Sequence, residues 1–256
     1  MENPESQAVK GKRDLYLESL KSRYPDKSFE TDDDIFGQAI EDNENNEREL
    51  KGFREREKGL SDMFAKAKAD GVRYLIIDNR YNTGGTTEAG DELGRYLTDE
   101  PFISVSKVVV RFSEPIRTLE REYLDGVMPP RDTIVTRTFD PATWCQPYGP
   151  DKRFNGEAYL LNSYLTFSAA TDFASQFAYF KMGTIIGEET GGMTVSSGDI
   201  ISLKLPNTGM SVVLPFKLFC NIGADENAPV QGVKPDVEVA SGKALDIALD
   251  LIQKGK

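Results

Sequence analysis

Three clusters of small residues stand where chemistry could be held: Gly84-Gly85, Ser168-Ala169-Ala170 and Gly191-Gly192. Each follows a short apolar run, over 72–77, 158–161 and 184–186. Turns at the carboxyl ends of such strands are where open α/β sheets bind ligands. Small residues there also serve simply to make a tight turn, and for any single cluster that plainer reading stays open. Gly84-Gly85 is followed by no Lys-Ser/Thr and no spaced third glycine, which argues against a phosphate loop and a dinucleotide fingerprint. Thr166-Phe167-Ser168-Ala169-Ala170-Thr171-Asp172 is more pointed, because it puts small residues where a strand becomes a helix. It reads equally as a nucleophile held at a helix N-terminus, where N–H groups and the dipole favour negative charge, or as an N-cap with Asp172 in the first turn. Histidine is absent from all 256 residues, which removes the commonest general base and the commonest metal ligand together.

The elements that would position these clusters alternate in type. Leu50, Phe53, Leu60, Met63, Phe64 and Ala67 recur at three- and four-residue intervals, the period of one buried helix face, and Gly71 is placed to end that helix. The run over 72–77 (VRYLII) predicts a strand covered on both faces, and Ala89, Leu93, Tyr96 and Leu97 predict a helix after the glycine turn. Strands are expected over 103–112, 158–161 and 184–186. Helices are expected over 115–124, 168–181 and 244–252, with Phe173, Phe177 and Phe180 as a stripe. A hairpin is expected from 200–205 and 210–216 around Pro206-Asn207-Thr208-Gly209, and a strand-like closing segment over 230–239. The order helix, strand, glycine turn, helix marks an α/β fold.

Residues 1–33 read as a peripheral segment with one short amphipathic helix over 14–24, and 34–256 as the domain. The stretch 128–155 holds five prolines with Trp144 and Tyr148. It is expected to be an irregular insertion that either covers a site or only packs on the sheet.

A formal charge of −11 repels phosphate backbones and argues against a nucleic-acid partner. No apolar run reaches the ~20 residues that span a bilayer, and residues 1–10 have no apolar signal core. Cys145 and Cys220 have no metal-ligand spacing and leave two thiols or one disulfide open. No metal or cofactor is expected.

Taken in order, four segments resemble the tail-specific (C-terminal-processing) serine peptidases. They are Tyr74 to Gly85 (YLIIDNRYNTGG), Leu161 to Phe173, Thr184 to Gly192 (TIIGEETGG) and Gly232-Val233-Lys234-Pro235-Asp236. The resemblance covers roughly 34–240. It implies a crotonase-like α/β fold: a twisted, mostly parallel sheet flanked by helices, with a C-terminal β-hairpin. It also implies hydrolysis of peptides or unfolded protein segments through a serine, and family members commonly work outside the cytoplasm.

In that family the nucleophile stands three residues before an acidic helix residue. Counting back from Asp172 gives Ala169, with Ser168 as the fallback nucleophile. The lysine base of the processing branch falls at Met193, and its glutamine at Ser197. The other branch's upstream histidine is missing, and Lys181 reads as a helix-end cation. The resemblance places oxyanion donors at the N–H groups of Gly84, Gly85 and Ala170. The expectation is therefore a serine-peptidase domain disabled as it stands, a fragment or variant of a peptidase. One alternative is a non-catalytic binding relative, as the retinoid-carrying interphotoreceptor proteins are. Another is an acyl-CoA enzyme with Glu188 as its carboxylate.

Overall fold

The computed structural model describes residues 51–52, 54–119, 129–225 and 231–255. The helix expected over 14–24, with the rest of residues 1–50, lies outside the described residues. The described chain divides into two compact units. One comprises 54–109, 136–198 and 217–255; the described parts of the other are 51–52, 110–119, 129–135 and 199–216.

In the larger unit, helix α1 (54–69) buries Phe64, with Leu60 and Ala67 half-buried beside it and Met63 exposed. The apolar face is thus narrower than the spacing predicts. Gly71 ends the helix at φ 66°, the left-handed conformation glycine adopts at no steric cost. Strand β1 (Tyr74–Asp78) and helix α2 (Thr87–Gly94) follow, joined by the Gly84-Gly85 turn. Strand β2 (Val105–Arg111), helix α3 (Glu114–Leu119), strand β3 (Ile134–Thr138) and strand β4 (Glu157–Asn162) come next. Then come helix α4 (Ala169–Tyr179), strands β5 (Thr184–Gly187), β6 (Val195–Lys204), β7 (Ser211–Asn221) and β8 (Val237–Glu238), and helix α5 (Ala244–Lys254).

One sheet has the order β1-β4-β5-β8, and its three pairings are all parallel. Period-2 alternation gives each face its own core. Ala158, Leu160 and Ile185 pack with Phe173, Phe177 and Phe102 on one face. Tyr159, Leu161 and Ile186 pack with Ala244 and Ala248 of α5 on the other. Leu160, Leu161 and Ile186 are each 0% exposed, and burying such a side chain contributes about 2–3 kcal/mol. The mostly parallel sheet with flanking helices is the expected architecture.

The second sheet has the order β3-β2-β7-β6. Its β6–β7 hairpin is the one predicted, with strands several residues longer. Within the smaller unit, Leu205 N donates to Met210 O at 2.9 Å and Gly209 takes φ 68° to close the hairpin turn. Phe112 N donates to Thr133 O, and Asp132 N to Phe112 O, at 2.9 and 2.8 Å.

Two expectations change. The insertion over 128–155 contains a strand, β3, whose Ile-Val-Thr-Arg-Thr run is β-prone but solvent-facing and so lacks an apolar stripe. The closing segment forms strand only at Val237–Glu238; 231–236 is held by scattered backbone bonds, such as Asp236 N to Ile185 O at 2.9 Å, and by side chains, with Asp236 Oδ2 accepting from Ile185 N at 2.8 Å.

Candidate active site

Because β1, β4 and β5 run parallel, their carboxyl ends lie on one side and bring three loops together. The loop after β4 is the hub. Thr166 Oγ1 donates to Asn79 O at 2.8 Å, and Phe167 N donates to Asn82 O at 3.0 Å. Gly192 N, from the loop after β5, donates to Thr166 O at 2.9 Å, and Ser163 Oγ donates to Arg80 O. These bonds fix the turn that launches α4.

At that turn Ser168 has φ 52° and ψ −131° and makes no side-chain cap to the helix. A residue with a Cβ is strained in this region, at a cost of about 1–3 kcal/mol. Ser168 is exposed, and among the described residues no side chain hydrogen-bonds its Oγ. Gly84, at φ 101°, presses against it: a Cβ there would lie 2.7 Å from Ser168 Cβ and 3.0 Å from Ala169 N. A Cβ on Gly192 would lie 3.0 Å from Ser168 N, so the glycine before Met193 closes the other side.

The backbone donors differ in whether they are spent. Gly84 N donates to Asn82 Oδ1 at 3.0 Å, and Ala170 N donates to Phe167 O at 3.1 Å. Gly85 N and Ala169 N donate to nothing among the described residues. Of the N–H groups expected as donors, Gly85 is unspent while Gly84 and Ala170 are occupied within the loops, and Ala169 adds a second unspent N–H. A cavity of about 320 Å³ opens beside them, lined by Ile77, Asn82, Gly85, Leu93, Ala169 and Phe173 among others.

Charge around the cavity is settled locally. Asp78 lines it, but two hydrogen bonds from Arg80 at 2.8 and 2.7 Å hold its carboxyl below the usual carboxylate range, which makes it a poor base. Arg80 also donates to Ser241 O at 2.9 Å, pinning this loop to the turn before α5. Behind the site, burial pushes Asp172 of α4 and Asp91 of α2 up to about 6 each.

Other predicted residues lie elsewhere. Trp144 packs edge-on against Phe180 at the far end of α4, and its Nε1 donates to Phe139 O at 3.4 Å. Tyr148 donates to Glu92 Oε1 at 2.8 Å and stacks under Arg95. These contacts are of the packing kind, one of the two readings open for the excursion. Lys181 ends α4 at the opposite pole from Ser168. Glu188 Oε2 accepts from Tyr164 N at 3.5 Å. Cys145 and Cys220 are free thiols, and burial raises Cys145 to about 11. Among the described residues no group of His, Cys, Asp or Glu is assembled to hold a metal, and no helix is long and apolar enough to cross a membrane.

Sequence reasoning missed Asn79 and Thr166, each buried, and Asn82. Their signal was a polar loop, Asp78-Asn79-Arg80-Tyr81-Asn82, directly after an apolar strand. The sequence model of peptidase family S41 matches residues 49–239. The chain belongs to peptidase family S41. Among solved structures it resembles mature CPAF complexed with lactacystin, at 16% identity and TM-score 0.56 over 77% of this chain and 46% of that one. It also resembles a putative peptidase from Parabacteroides merdae, at 21% identity and TM-score 0.51 over 77% and 56%. This chain thus spans about half the length of the solved S41 relatives it matches, and those likenesses speak for the fold.

Proposed function

We propose that this S41 chain holds the acyl-transfer half of a serine-peptidase site, with Ser168 rather than Ala169 in the nucleophile's place. The observation that carries the reading is the strained backbone of Ser168, one residue ahead of an unspent N–H. Strain of this kind concentrates at functional sites, and a sharp strand-to-helix turn is how a serine hydroxyl is exposed above a parallel sheet. A peptide carbonyl attacked by Ser168 Oγ would develop negative charge between Gly85 N–H and Ala169 N–H. Preorganised donors of this type contribute roughly 3 kcal/mol each to acyl transfer.

Among the described residues the general base is the missing half. The chain has no histidine, Met193 brings no proton acceptor, and Asp78 is committed to Arg80. The chain by itself is therefore expected to bind peptide and to acylate slowly. A purely binding role is the second reading, favoured by that missing base. The occupant in either case is an extended apolar segment, because Tyr81, Tyr164, Leu165, Phe167 and Met193 stand exposed on the three loops.

Fluorophosphonate labelling with peptide mass mapping tests this. A label on Ser168 that forms faster with added imidazole is the expected result. No label there under either condition sinks the reading, and a label confined to residue 169 of the A169S variant restores Ala169 as the nucleophile position.

A further inference from the structure

The oxyanion loop and the first turn of α4 are joined by an unbroken chain of asparagine amides. Asn82 Oδ1 accepts from Gly84 N at 3.0 Å, and Asn82 Nδ2 donates to Asn79 Oδ1 at 3.0 Å. Asn79 Nδ2 donates onward to Ala170 O at 3.2 Å and to Asn162 Oδ1 at 3.1 Å. Asn79 is 3% exposed and Asn162 0%. The direction of every amide is fixed by the two backbone groups at its ends. Gly84 N–H can only donate, and the Ala170 carbonyl can only accept, so neither Asn82 nor Asn79 can flip without two donors or two acceptors facing each other. That same constraint turns Asn162 Nδ2 away from the relay, where it is buried without a partner.

We infer that Asn79 and Asn82 are positioning residues for the oxyanion donors, an inference that rests on the Ser168 reading above. The relay holds Gly84 N–H inward, which turns the next peptide unit and leaves Gly85 N–H as the loop's unspent donor. Its other end grips the Ala170 carbonyl one residue beyond Ala169, the second donor. Both donors are thereby referred to one strut of amide dipoles, exposed at Asn82 and buried at Asn79 and Asn162, where the low-dielectric interior lets neighbouring hydrogen bonds polarise one another. Nothing in the relay touches a substrate atom; its effect passes through Gly85 and Ala169.

The N82D variant breaks the strut at its centre with little change of shape. Its carboxylate still accepts from Gly84 N–H but has no proton for Asn79 Oδ1, whereas its protonated form has one again. Two measurements on the full chain read the inference. In amide exchange by NMR, Gly84 is expected to be protected in the unmodified chain and Gly85 to exchange freely, with Gly84 protection falling at least about tenfold in N82A, a loss of one hydrogen bond. In fluorophosphonate labelling, the maximal rate at Ser168 is expected to fall about 10- to 100-fold in N82D, less than the roughly 100- to 1,000-fold loss of a whole donor. The half-saturating concentration should stay unchanged. The ratio of variant to unmodified rate should recover as pH falls through the carboxylate range, which a merely structural lesion would not do. Equal labelling rates at neutral pH, or a freely exchanging Gly84 in the unmodified chain, overturn the relay. A protected Gly84 in a chain that never labels at Ser168 overturns the nucleophile reading and leaves the strut standing as structure alone. Should N82D fail to fold, Gly84 and Gly85 exchange in the unmodified chain still decides the geometry.

Discussion

The two ends of α4 carry the same backbone oddity to opposite effect. Ser168 before the helix and Lys181 after it are both non-glycine residues with φ near 50°. At the far end every nearby backbone donor is spent. Lys181 N donates to Ala178 O at 3.3 Å and Met182 N to Phe177 O at 3.0 Å, the paired bonds of a Schellman stop. Met182 and Phe177 close it within one core cluster. At the near end Ser168 makes no cap, and the N–H of Ala169 is left over. A positive φ with its donors satisfied is a way to end a helix; a positive φ beside an unspent donor and an open cavity is a way to hold a reactive group. The comparison, not the strain alone, singles out Ser168.

The largest effect should come from filling the space that Ser168 shares with Gly84. In G84A the new methyl would meet Ser168 Cβ at 2.7 Å and Phe167 O at 2.8 Å, on a backbone whose φ of 101° disfavours any side chain. A loss of about 3 kcal/mol is expected in chemical denaturation, with labelling of Ser168 abolished. A variant as stable as the unmodified chain would mean that the two loops are not in contact.

Next in size is a pH effect confined to the near end. Asp172 lies in the first turn of α4, and Asp91 of α2 interacts with it. Glu88 adds to the repulsion at Asp91, while Ser104 and Cys145 face Asp91 and Asn221 faces Asp172 as hydrogen-bonding groups. Burial raises both carboxyls to about 6, against about 3.9 in an unfolded chain. The folded state therefore binds protons more tightly, so the stabilisation is full below about pH 4 and is lost as pH rises through 6. Above that range the buried charges cost on the order of 2–3 kcal/mol per carboxyl. Thermal unfolding should show D172N gaining stability over the unmodified chain at pH 7.5 and losing that advantage at pH 4. An advantage independent of pH would place the Asp172 carboxyl in water.

The parallel sheet, the helices α2, α4 and α5 and the three loops were legible in the sequence because apolar runs and glycine pairs carry them directly. The nucleophile position proposed above was not. Ser168 to Asp172 is a run of small or helix-tolerant residues, so counting from Asp172 slides freely by one, and the proposed phase rests on the backbone turn at Ser168. The amide relay was hidden for a related reason: a buried loop asparagine such as Asn79 has the same composition as an exposed one such as Asn82. Trp144 and Tyr148 were left open in sequence, since an aromatic-rich excursion looks the same whether it covers a cavity or packs on Phe180 and Tyr96.

A smaller effect separates side chain from backbone at Ser168. S168G removes the strained Cβ along with the hydroxyl, and S168A removes only the hydroxyl. Relief of strain outweighs the extra freedom of glycine in the unfolded chain, so S168G should be more stable than S168A by about 1 kcal/mol. Both should lose labelling at this position. Equal stabilities would mean that Ser168 is not held at φ 52° in solution.

The smallest effect, at the far end, is the control that gives the others meaning. K181G puts the residue that prefers a left-handed helix stop where lysine now stands, and about 0.5–1 kcal/mol of added stability is expected. Because Lys181 N and Met182 N are already spent and the cavity lined by Ala169 is at the other pole, labelling of Ser168 and its pH dependence should not move. If K181G slowed labelling, the two ends of α4 would be mechanically linked, and strain at Ser168 could no longer be read as a local property of the site.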